Sequence, residues 1–121
     1  MLWNRHITIE GDLTETIHYF INELRSFIGA FALKEDRVLE ELRISLNFYK
    51  SPVLRKHLSA HEIAEFFKCR IIELIKTPIA YDRANMLSKA EVIKNLLESI
   101  LSYPEIDVDK LYTIVSAELR S

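Results

Sequence analysis

Glycine is nearly missing from this 121-residue chain; Gly11 and Gly29 are the only two. So few glycines exclude the loops that cradle phosphates in nucleotide-binding proteins, and no serine sits in a nucleophile elbow. Proline occurs only as Pro52, Pro78 and Pro104. With so few turn signals, long helices are expected rather than many short strands. Cys69 is the lone cysteine, so an internal disulfide is excluded and a reducing, cytoplasmic setting is expected. The longest apolar stretch, Phe27 to Leu33, is too short to cross a bilayer, so no membrane partner is expected. Met1 to Gly11 carries Arg5, His6 and Glu10 in place of the apolar run of a signal peptide.

What remains is the make-up of a folded protein. Hydrophobic residues are 49% and charged residues 28%, with net charge −2, which argues against disorder. The length fits one domain, residues 1–121, large enough to bury a core without staples. The predicted fold is all-α: a single-domain bundle of about five helices, mostly antiparallel, with a short extended segment over residues 1–11. In that segment Ile7 and Ile9 alternate with polar residues, as in a short strand.

Helical periodicity is clearest after Asp12, whose carboxylate and Glu15 form a capping-box pattern. Leu13, Ile17, Phe20, Ile21, Leu24, Phe27, Ile28 and Phe31 make one stripe. The helix is expected to run through Gly29. A second helix is expected from Glu35 to Lys50, with Val38, Leu42, Leu46 and Tyr49 inward. Ser51-Pro52 pairs an N-cap with proline at the first helical position and opens a short turn. Ser59 and Glu62 form another capping box, starting a helix from about Ala60 to Lys76. Thr77-Pro78 is expected to open a long helix reaching Ser102. Ser88 with Glu91, and Leu87 with Val92, repeat the box and its apolar staple, so a bend or break is expected near Ser88. Asp107 caps a last helix to about Leu119.

Charge is unevenly spread. Residues 1–42 carry 4 basic and 8 acidic groups, residues 43–95 carry 10 and 5, and residues 96–121 carry 2 and 5. A basic middle between acidic ends either binds an anion or is neutralised within the fold. The anion- or nucleic-acid-binding candidates are Arg55, Lys56, His57, Lys68, Arg70 and Arg83. Arg70 draws attention first: it follows Ile63 by seven residues and precedes Leu74 by four, which puts it within an apolar stripe. A guanidinium there needs a partner, and Glu23, Glu41 and Glu98 are the candidates, unless it snorkels to water or receives a ligand's carboxylate or phosphate. Phe66 and Phe67 read as core, not as stacking platforms for bases.

Several apolar residues fall off the main stripes: Ile44, Phe48, Ile72, Val92, Leu96, Tyr103 and Ile114. They are the oligomer-interface candidates, and they predict a homodimer. No catalytic or metal site is assigned and no cofactor is expected. His57 and His61 are four apart, but a helix start falls between them and the usual Glu-x-x-His pairing is missing. Cys69 reads as a partly buried structural thiol. The expected function is therefore non-enzymatic: a protein–protein interaction or regulatory and assembly module acting as a small homo-oligomer, with itself and an unknown protein as partners. Two alternatives are a nucleic-acid-binding small subunit of a larger complex, using segment 43–95, and a helical sensor holding a small anionic or apolar ligand near Arg70.

Overall fold

The computed structural model describes residues 11–76 and 83–121. Among these residues six helices follow one another: α1 (Gly11–Ala30), α2 (Glu35–Lys50), α3 (Pro52–Arg55), α4 (Ala60–Glu73), α5 (Arg83–Leu101) and α6 (Val108–Arg120). There is no strand among the described residues. The expected strand around Ile7 and Ile9 and the Thr77-Pro78 start signal lie outside them. Gly11, read as the end of an extended segment, already belongs to α1.

Local chemistry sets most helix ends. Ser59 accepts from the Glu62 backbone N–H at 3.2 Å, and Glu62 accepts from the Ser59 N–H at 2.9 Å, closing the capping box of α4. Asp107 accepts from the Lys110 N–H at 3.1 Å at the start of α6. Ser51 caps α3 through the Leu54 N–H, with Pro52 at the first position. After Phe31, Ala32 turns left-handed with φ 53°, and Leu33 N–H reaches back to the Ile28 carbonyl at 3.0 Å. A left-handed residue with a bond back over five residues is how many helices stop, usually on glycine.

The Ser88 break does not occur. α5 runs unbroken from Arg83 to Leu101. Met86, Ala90, Ile93, Leu97 and Ile100 keep one buried stripe in phase across Ser88, while Leu87 and Val92 are exposed and staple nothing. Burying each such side chain contributes about 1.5–3 kcal/mol, more than a cap of about 1 kcal/mol could recover by ending the helix.

The five long helices form a ring in the order α1, α5, α4, α2, α6 and back to α1. Contacts give the directions. His61 meets Glu98, Glu65 meets Lys94 and Lys68 meets Glu91, so α4 and α5 are antiparallel. Glu41–Arg70 and Phe48–Phe66 do the same for α2 and α4, and Asp36–Arg120 and Lys50–Asp109 for α2 and α6. At α1 and α6 the two late residues meet instead: Arg25 donates to the Glu118 carbonyl at 2.9 Å, so this pair is parallel. Phe20, Leu24, Phe27, Leu39, Leu42, Phe67, Ile93 and Leu97 fill the centre and are almost wholly sheltered from solvent.

Candidate functional site

Arg70 leans to one side of α4. The buried stripe is Ile63, Ala64, Phe67 and Ile71, and Arg70 flanks it with 41% of its side chain exposed. Its Nε donates to Glu41 Oε1 at 2.9 Å, Nη2 to Glu41 Oε2 at 3.2 Å, and Nη1 to Glu73 Oε1 at 3.1 Å. The Glu41 hydrogen bonds push the guanidinium above its ordinary pKa. Glu41 itself is buried on α2. A fork already holding two carboxylates has little left for a ligand, which removes the geometric basis for an anion site at this residue.

Lys68 is committed too, to Glu91 at 3.1 Å and Glu65 at 3.3 Å. Desolvation pushes its pKa down, but these hydrogen bonds outweigh it and hold the value above the ordinary one. Arg55 lies over the Tyr49 ring at 4.2 Å and donates to the Tyr49 hydroxyl at 3.0 Å. That hydroxyl donates in turn to the Leu101 carbonyl at 2.6 Å, near the end of α5. Arg83 opens α5, so at 1.5 Å per residue it stands about 27 Å along the helix from Leu101. Lys56 and His57 are exposed beyond α3. The six basic candidates therefore do not share one face, and two of them already hold carboxylates.

One lysine of the basic middle segment was given neither burial nor partners by the sequence. Lys94 is 5% exposed, and its Nζ lies 3.2 Å from Glu91 and 3.7 Å from both Glu65 and Glu98. With Lys68 and His61, whose Nδ1 is 2.9 Å from Glu98, this makes a continuous ionic seam between α4 and α5. Hydrogen bonds from Lys68 and Lys94 hold Glu91 below the usual carboxylate range. The signal was present, because Lys94 follows Ala90 by four and precedes Leu97 by three, within the buried register. The carboxylates that make it tolerable come partly from α4 and could not be read locally. Among the described residues no three histidine, cysteine or acidic side chains are placed to hold a metal ion.

The apolar candidates spread around the ring. Phe48, Ile72, Leu96, Tyr103 and Ile114 pack partly against the core; Ile44 is half-buried and Val92 is exposed. Phe66, read as core, lies at the surface. Its ring meets that of Phe48 edge-on at 5.2 Å, between α2 and α4, while Phe67 one residue on is wholly buried. Cys69 is exposed, not partly buried, because it lies away from the Ile63, Phe67 and Ile71 stripe.

Three recesses are lined by described residues. A groove of about 580 Å3 between α1 and α5 is lined by Glu15, Tyr19, Glu98 and Tyr103 among others. Of two smaller ones of about 270 Å3 each, one lies between α2 and α6 and the other where the α1–α2 connection meets the end of α4. Comparison with family models, with curated proteins and with solved structures gives no match.

Proposed function

We propose that this protein is a non-enzymatic interaction module that associates with a second copy of itself through the outer seam of α2 and α4. The observation that carries the reading is the Phe48–Phe66 pair, an edge-on aromatic contact on the outside of the bundle with Phe66 36% exposed. Ile44 lies one turn before Phe48 on α2 and extends the apolar strip. Aromatic side chains at a surface gain most when a partner removes them from water. A two-fold copy would set this apolar strip against its own counterpart, a self-complementary contact. Cys69, exposed and three residues after Phe66, would lie near its counterpart.

Sedimentation of the full chain at micromolar concentration tests the reading. The expected result is a dimer that Phe66→Glu converts to a monomer with unchanged helical circular dichroism, and that a bismaleimide links through Cys69. A monomeric parent, or a dimer indifferent to Phe66→Glu, overturns it.

A further inference from the structure

Three cations without a carboxylate partner meet at the opposite end of α2 from the aromatic seam. Lys34, Arg37 and Lys76 line the 270 Å3 recess, over a floor of Ala32, Leu33 and Leu74. None of the three forms an ion pair among the described residues. Among the described residues, nearby acids are mostly taken: Asp36 by Arg120 and Glu73 by Arg70, which leaves Glu35. Counted over the described residues, the recess keeps a net positive charge with Glu35 included. Leu33 and Leu74 pack against the core, so the floor is anchored. A concave surface with cations of one sign and low-dielectric walls focuses the field on whatever enters.

We propose that this recess binds a small organic anion, a carboxylate or phosphate head on a short apolar chain. The head lies among Lys34, Arg37 and Lys76, where the Arg37 fork accommodates two oxygens at once, and the chain lies on Leu33 and Leu74. The site is independent of the self-association reading, since Phe48 is about 20 Å along α2 from its first residue.

Titration of the full chain, followed through backbone amide resonances, tests this with four probes: hexanoate, hexanol, hexyl phosphate and inorganic phosphate. Hexanoate and hexyl phosphate are expected to shift the amides of residues 32–37 and 74–76. A dissociation constant of about 1 mM or tighter is expected for hexanoate, in keeping with a ligand of this size. Inorganic phosphate, lacking the chain, is expected to bind more weakly than hexyl phosphate. Arg37→Glu is expected to weaken hexanoate about tenfold or more, while Lys56→Glu, which alters an exposed cation beyond the far end of α2, leaves it unchanged. Arg37→Gln, which removes the charge without reversing it, falls between. The proposal fails if those amides stay still, if hexanol binds as well as hexanoate, if inorganic phosphate equals hexyl phosphate, or if Lys56→Glu weakens binding as much as Arg37→Glu.

Discussion

Arg70 and Glu41 grip each other across the α2–α4 seam, two nitrogens on two oxygens at 2.9 and 3.2 Å. The pair is asymmetric, because the carboxylate is 7% exposed and the guanidinium 41%. Removing the cation strands a buried anion, whereas removing both partners together does not. Arg70→Met is therefore expected to lower the urea midpoint. The double variant Glu41→Leu with Arg70→Met is expected to regain most of the loss. Arg43→Met, which breaks the exposed Arg43–Glu40 pair, serves as the reference and should cost much less. Equal losses for Arg70→Met and Arg43→Met would show that burial of Glu41 does not matter.

Lys94 gives a second prediction. Its ammonium is closed in by Glu91, Glu65 and Glu98, so truncation removes a charge-assisted hydrogen bond and leaves three carboxylates facing one another. Lys94→Met, which keeps the stem, is expected to destabilise by about 1–3 kcal/mol. Lys94→Ala should cost more, because it also empties space at the α4–α5 contact. Chemical denaturation of the three proteins side by side checks the ranking.

The seam also sets an acid limb. Hydrogen bonds from Lys68 and Lys94 hold the Glu91 pKa below its ordinary value in the folded chain, and the Ser59 backbone hydrogen bond does the same for Glu62. A lowered folded pKa stabilises the fold above the unfolded value, about 4.3, and the contribution fades as pH falls through the folded one. Stability is therefore expected to drop on acidification below about pH 4.3. Glu91→Gln should flatten that drop. An acid limb identical in parent and Glu91→Gln would count against the seam.

Gly29 and Ala32 lie in each other's natural places. Gly29 is inside α1, with nothing within 4 Å of an added Cβ, while Ala32 takes the left-handed turn that glycine accepts without strain. Gly29→Ala is expected to raise stability by about 0.5–1 kcal/mol. Ala32→Gly should relieve strain of about 1–2 kcal/mol, partly offset by the added freedom of the unfolded chain. Thermal unfolding of both variants decides whether the termination of α1 is strained.

How much of this was legible in the sequence depends on whether a signal is local. The α2 limits, the capping box of Ser59 with Glu62, and the Asp107 cap were all readable, because each involves atoms within a few residues. The same four-residue pattern at Ser88 misled, because Glu91 is bound by Lys68 and Lys94 and does not turn back to a cap. Phe66 and Phe67 show the same limit. Periodicity places both near a stripe, but only the packing of α2 and α5 on α4 decides which ring is sheltered. The convergence of Lys34 and Arg37 with Lys76 joins two residues of the acidic first third to one 42 and 39 positions further on, and no compositional window could find it.

The ring has an odd number of members, so alternation of direction must fail at one join. It fails at α1 and α6, whose like-pointing dipoles repel where elsewhere neighbours attract. α6 is also held at its two ends by solvent-facing pairs, Lys50–Asp109 and Arg120–Asp36. The last stave of this barrel is thus the loosest. Its amides should exchange with deuterium before those of α4 or α5, making the carboxyl-terminal helix the door through which the molecule first comes apart.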